Sequence, residues 1–153
     1  MAQLFFLDPA AVATVRAADK AEVLSLLADR LAGVYRLDRG EVLDRIEERE
    51  RLGSTGFGRG VASPHARIAG VTSPVAAFLR LEGPVTFDSA DGMPVALVFG
   101  LLSPEQGGAA HLQALAAISR MMRDERMRAS LEAAPDDDAL YGLLCNVIDR
   151  DAA

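Results

Sequence analysis

Val95-Ala96-Leu97-Val98-Phe99-Gly100-Leu101-Leu102 carries no charged or polar side chain. A strand with one wet face alternates apolar with polar residues, whereas an unbroken apolar run of this length belongs inside a sheet covered on both faces. The run therefore calls for helices above and below it. Upstream, Pro74 to Leu81 is a second apolar run of strand length. Gly83-Pro84 and Asp91-Gly92 supply turn signals between the two, with Val85-Thr86-Phe87 as a candidate short strand.

Helical patterns lie on both sides of these strands. Asp19-Lys20-Ala21-Glu22 has the spacing of a capping box, and Val23, Leu27, Leu31 and Val34 then recur on one face, which predicts a helix from Asp19 to Gly33. Asp38-Arg39-Gly40-Glu41 repeats the start signal; Val42, Leu43 and Ile46 face inward until Leu52-Gly53 ends the helix. Downstream, Gly107-Gly108 leads into a pattern in which Leu112, Leu115, Ile118 and Met122 share a face. Asp124 reads as the N-cap of a short helix through Leu131, and a last helix starts near Pro135-Asp136 with Leu140, Leu143, Leu144, Val147 and Ile148 inward. Leu4 to Leu7 fits either a short first strand or the lead-in to a turn at Asp8-Pro9, and no pattern chooses between them. Helices, then strands, then helices imply an α/β (α+β) fold with helices packed on a central sheet.

The 153 residues, half of them hydrophobic, suit one domain spanning 1–153. A net charge of -6 argues against nucleic acid, which is bound by neutralising phosphates. The single cysteine, Cys145, sits in an apolar stretch and reads as a small core residue. The N-terminus has no basic segment, its apolar run is too short for a signal peptide, and no run reaches membrane-spanning length. A cytoplasmic protein with no membrane insertion is expected.

Candidate chemistry gathers between the helical pair and the strands. Ser54-Thr55-Gly56-Phe57-Gly58-Arg59-Gly60 reads as an irregular, glycine-dense connection, without the third glycine of a dinucleotide fingerprint or the Gly-Lys-Ser/Thr of a P-loop. Glycines let backbone N–H groups approach a small anion, although a tight connection with no ligand fits the same stretch. His65 follows Pro64, which fixes its own φ and pushes Ser63 toward an extended conformation, so the imidazole is held at a rigid strand end. Such a placement suits a nucleophile, because a neutral imidazole attacks without a separate base. His111 falls just inside a helix start, where it either donates a hydrogen bond to an anion or fills the helix edge. Arg49 is ordinary helix-surface charge by default, but its position aims it toward the glycine segment. Two histidines without a His-Glu-x-x-His pattern give no metal site, and no cofactor motif is present.

In this order the pieces resemble a known family, the type-2 EIIA domains of the bacterial phosphotransferase system, nearest the nitrogen-regulatory branch. The resemblance is carried by Arg49-Glu50, Gly53-Ser54-Thr55-Gly56-Phe57-Gly58, Gly60-Val61-Ala62-Ser63-Pro64-His65 and His111-Leu112 with the helix that follows. It implies a central mixed sheet flanked by helices, the mannitol-specific EIIA-like fold. It also implies that His65 accepts a phosphoryl group from an HPr-like (NPr) phosphocarrier, that His111 orients or hydrogen-bonds that group, and that Arg49 supports its charge or helps dock the donor. The loop of Ser54, Thr55, Gly56, Gly58 and Gly60 would surround the phosphoryl site. Two departures flank the nucleophile: the family usually has an aliphatic residue at Ser63 and a glycine at Ala66. If the residue after the histidine needs φ > 0, alanine there costs about 1 kcal/mol or more. The implied function is regulation of partner proteins by phosphorylation state. The alternatives are a sugar-specific (fructose/mannitol-type) EIIA that passes the group to an EIIB cysteine, and a protein-binding module that is never phosphorylated.

Overall fold

A computed structural model of the chain describes residues 3–152; Met1, Ala2 and Ala153, the ends of the expected domain, lie outside the described residues. Six strands form one mixed sheet: β1 (Phe6–Val15), β2 (Gly56–Gly58), β3 (Val61–Ala62), β4 (His65–Ile68), β5 (Val75–Val85) and β6 (Val95–Pro104). The spatial order is β1-β5-β6-β3-β2, with β4 also on β6. Five helices occur among the described residues: α1 (Lys20–Tyr35), α2 (Arg39–Arg51), α3 (Gly108–Arg123), α4 (Glu125–Ala133) and α5 (Asp137–Ala152).

The apolar run from Val95 to Leu102 lies in the sheet's central strand, β6. β6 pairs antiparallel with β5 on one side and parallel with β3 and β4 on the other, and from Leu97 to Ser103 every residue is buried. Side chains alternate across a strand, and this alternation assigns the two helical layers. Gly100 looks toward α1, where an added Cβ would stand 2.7 Å from Leu27 Cδ1. Ser103, three residues on and therefore on the other face, meets His111 of α3. The sheet is thus covered on both sides.

β3 and β4 form one interrupted strand. Val61 pairs with Leu97, Ala62 with Val98, His65 with Leu101 and Ile68 with Pro104, so the offset to β6 is unchanged across Ser63-Pro64. Pro64 breaks the ladder because it has no N–H to give. The Ser63 hydroxyl takes over, donating to the carbonyl of Phe99 at 2.8 Å, while Leu101 N–H still reaches the Pro64 carbonyl at 3.0 Å.

Helix starts follow the sequence. Asp19 accepts from Glu22 N–H at 2.9 Å, and Glu22 reaches back to Ala18 N–H at 3.2 Å, one residue earlier than a standard capping box. Asp38 accepts from Gly40 N–H, Asp124 from Arg126 and Met127 N–H, and Asp136 from Ala139 N–H.

Several expectations need correction. The first strand runs straight through Asp8-Pro9, with a register shift between Leu7 and Val12 that absorbs the proline. Gly83-Pro84 is no turn: β5 continues through it to Val85, again with a register shift, and Thr86-Phe87 is not strand. The glycine-dense segment is a hairpin, β2 to β3, closed by Arg59 (φ 59) and Gly60 (φ 80). Two consecutive positive φ values match the right-handed strand twist in a two-residue loop. Asp91 secures that loop by accepting from Arg59 N–H at 2.8 Å. Leu112 points outward at 67% exposure; Ile118 and Met122 are inward as expected and Leu115 is half-buried, while His111, Ala114, Ala117 and Met121 complete the buried face of α3. Cys145 is half-buried.

Candidate functional site

His65 opens β4, and the parallel register sets its face. Pairing with Leu101 puts His65, and Arg67 two residues on, on the α3 side of the sheet, while Ala66 between them is buried on the other. The imidazole is fixed at both nitrogens. Nδ1 lies 2.7 Å from the carbonyl oxygen of Ser63, and Arg49 Nε donates to Nε2 at 3.2 Å. A carbonyl only accepts, so Nδ1 carries the proton and Nε2 the lone pair. Burial, followed by the Arg49 charge, holds the pKa of His65 below its usual value against the opposing pull of the Ser63 carbonyl and Glu50. The ring is neutral near pH 7.

Arg49 sits in the last turn of α2, where its Nη1 also donates to the Gly53 carbonyl at 2.9 Å. That bond fixes the guanidinium between the helix end and His65. The neighbouring Glu50 is buried at 8% exposure. Its carboxylate accepts from Thr55 N–H at 3.2 Å and from the Thr55 hydroxyl, and pairs with Lys20 Nζ at 2.9 Å. Lys20 in turn lies 4.6 Å from the centroid of Phe87. Glu50 therefore ties α1, α2 and the start of the hairpin together beneath Arg49.

His111 enters from the N-terminal turn of α3. It is 9% exposed, its ring centroid stands 5.4 Å from that of His65, and its Nδ1 is 2.7 Å from the Ser103 hydroxyl. Burial, then the nearby His65 and Arg67, push its pKa down to about 4. It too is neutral near pH 7.

Between these side chains lies an open pocket of about 500 Å³, with Arg45, Arg49 and Arg67 around the two histidines and Leu52 and Leu112 at its rim. A second hollow of about 310 Å³ reaches His65 from the other side, past Ser54, Thr55, Phe57 and Ser63. Glu48 also lines the pocket and Arg45 is paired with Glu105, so Arg49 and Arg67 keep the recess cationic on a chain whose net charge is -6. Among the described residues no cluster of His, Cys, Asp or Glu is placed to hold a metal ion. No helix among them is long and apolar enough to cross a membrane.

Of the residues singled out from sequence, His65, His111 and Arg49 converge. Ser54 and Thr55 line the smaller hollow, although their polar groups are engaged, Ser54 Oγ with the Phe87 carbonyl and Thr55 with Glu50. Gly56, Gly58 and Gly60 line neither hollow. Gly56 N–H is given to Ser54 Oγ, and Gly58 backs onto Asp91. Sequence reasoning missed Ser103 and Arg67. A serine ending an apolar strand was the available signal, since a buried hydroxyl needs a partner.

A family model described as phosphoenolpyruvate-dependent sugar phosphotransferase system, EIIA 2, matches residues 5–147. The chain belongs to that family. A nitrogen regulatory protein of Pseudomonas aeruginosa is 41% identical over 129 residues, 84% of each chain. The crystal structure of nitrogen regulatory protein IIA-Ntr from Neisseria meningitidis superposes with a TM-score of 0.84 at 34% identity, covering 90% of this chain and 95% of that one. IIA mannitol from Escherichia coli shares the fold, with a TM-score of 0.72 at 22% identity over 86% of this chain and 92% of that one. This EIIA domain is accordingly a phosphotransfer component of a transferase system.

Of the two departures from the family pattern, neither is strained. Ala66 is ordinary strand with no positive φ, and Ser63 is a buried ladder tie.

Proposed function

We propose that the chain, taken over 1–153 as one EIIA domain, is a nitrogen-type regulatory phosphoprotein of the cytoplasm. His65 accepts a phosphoryl group from an HPr-like (NPr) phosphocarrier, and the phosphorylation state decides which partner proteins the domain binds. The observation that carries this reading is the state of the His65 ring, with Nδ1–H on the Ser63 carbonyl and the Nε2 lone pair in a recess lined by arginines.

The chemistry follows from that geometry. The Nε2 lone pair attacks the phosphorus of the donor's phosphohistidine; the new N–P bond forms as the donor's breaks, and that electron pair returns to the donor imidazole. The product ring keeps Nδ1–H and is cationic, which the Ser63 carbonyl stabilises. Arg49, already donating to Nε2, re-aims its N–H groups at the phosphoryl oxygens, and His111 offers a further donor. Phosphoryl transfer of this kind needs placement and charge stabilisation more than covalent help. Ser54 and Thr55 wall the site, while Gly56, Gly58 and Gly60 shape the hairpin beside it. Exposed Leu52, Phe57 and Leu112 ring the histidine and give a protein donor an apolar footing.

The test is intact-protein mass after incubation with phosphoenolpyruvate, the upstream kinase and its HPr-like carrier. One acid-labile phosphoryl adduct is expected on the wild type and none on His65→Ala. No adduct, from a donor competent on a control acceptor, overturns the acceptor role and leaves a binding module that is never phosphorylated. Rapid passage of the group to a sugar-specific EIIB cysteine would instead favour the sugar branch.

A further inference from the structure

Ser103 is fully buried at the end of β6, and its hydroxyl lies 2.7 Å from His111 Nδ1. No other hydrogen-bond partner of that hydroxyl occurs among the described residues. A neutral imidazole has a single N–H, so the pair has two arrangements. In one, His111 Nδ1–H donates to Ser103; the serine's own proton is then buried without an acceptor, and the bare Nε2 of His111 faces the recess that also holds the lone pair of His65. In the other, Ser103 donates to Nδ1 and the Nε2–H of His111 is left for the recess. Only the second gives the buried serine proton an acceptor, and buried polar groups are almost always satisfied.

We propose that Ser103 is a positioning residue whose hydroxyl donates to Nδ1 of His111 and so presents His111 Nε2–H to a phosphoryl oxygen on His65. The inference rests on His65 being the acceptor. The register supports it: Ser103 pairs with Arg67, two residues beyond His65 on the same face, so the strand pairing that sets His65 also sets the serine beneath His111. The low basicity of His111 supports it as well, because a ring that stays neutral keeps its nitrogens distinct.

Two measurements test this. Long-range proton–nitrogen NMR of the unphosphorylated domain at pH 7 reads the His111 tautomer directly: Nε2–H is expected, with the Nδ1 resonance moving in Ser103→Ala. An Nδ1–H tautomer overturns the proposal. The second is the rate of phosphoryl acceptance in Ser103→Ala, Ser103→Thr, His111→Ala and the Ser103→Ala/His111→Ala double variant. Ser103→Ala is expected to be about five- to tenfold slower, the worth of one hydrogen bond. Threonine should recover most of that rate, and the double variant should be no slower than His111→Ala alone. An undiminished rate in Ser103→Ala, or an equal loss in the His111→Ala background, overturns the proposal. A wild-type chain that takes no phosphoryl group overturns the acceptor reading instead, while the tautomer, read without any donor, still decides whether Ser103 sets the ring.

Discussion

His65 Nδ1 and the carbonyl oxygen of Ser63 are 2.7 Å apart, a contact made across a single proline. Pro64 has no N–H to give the ladder, although its carbonyl still accepts from Leu101 N–H and Ser63 N–H is held by the Thr55 carbonyl. The Ser63 side chain adds a further tie by donating to Phe99, so the carbonyl of the same residue is fixed where it meets the imidazole. One serine therefore repairs the sheet with its hydroxyl and sets the histidine tautomer with its backbone.

The first prediction concerns which nitrogen reacts. With Nδ1 protonated, the phosphoryl group should attach at Nε2, and proton–nitrogen–phosphorus NMR of the phosphorylated domain should show phosphorus coupled to Nε2 while Nδ1 keeps its proton. Phosphorus on Nδ1 would require the Ser63 contact to break and would refute the geometric argument.

A second prediction separates the two roles of Ser63. Ser63→Ala leaves the backbone carbonyl in place but leaves Phe99 with an unsatisfied buried oxygen, at a cost of about 1–2 kcal/mol. Urea unfolding should show that loss, while His65 is still phosphorylated within a few-fold of the wild-type rate. Unchanged stability would mean that water or another donor already serves Phe99.

What the sequence showed and what it hid divide along physical lines. Core strands and helix starts were legible because they depend on local pattern: the run to Leu102, and the capping aspartates at 19, 38 and 124. The convergence of His65, His111 and Arg49 came from the family resemblance; no spacing along the chain encodes it, because it depends on β4 and β6 pairing in parallel. The Gly83-Pro84 turn was misread since a proline on a bulged strand gives the same local signal as a turn. Leu112 was misread because the buried stripe of α3 begins one residue earlier, at His111, and runs through Ala114 to Ile118 and Met122, which leaves Leu112 on the outer side. Burial of Glu50 was invisible because its cation, Lys20, lies thirty positions away.

That ion pair carries the third prediction. Lys20→Met leaves the Glu50 carboxylate buried with only its Thr55 bonds. Stranding a fully buried charge costs about 3–5 kcal/mol, and the 23% side-chain exposure of Lys20 brings this case to or below the bottom of that range, roughly 2–3 kcal/mol. Denaturant unfolding measures it. Phosphoryl acceptance should also slow, since Glu50 anchors the hairpin next to Arg49; a variant as stable as the wild type would show that Glu50 is adequately solvated without Lys20.

The fourth prediction is a pH dependence with a definite sign. Burial, with His65 and Arg67 adding to it, lowers the pKa of folded His111 to about 4, against about 6.5 for a histidine in the unfolded chain. Between those values the unfolded state binds more protons than the folded one. Stability from this group is therefore complete above about pH 6.5 and is lost as pH falls toward 4. The shift corresponds to roughly 3 kcal/mol. Carboxylates titrate over part of the same range, so the measurement is a difference: urea unfolding of wild type and His111→Gln at pH 7 and at pH 4. Wild type should lose about 3 kcal/mol more than the variant, and the His111 C2 proton should show an NMR titration midpoint below 5. Equal losses, or a midpoint near 6.5, would mean that His111 is open to solvent and takes up its proton freely, which would also remove it as a fixed neutral donor beside His65.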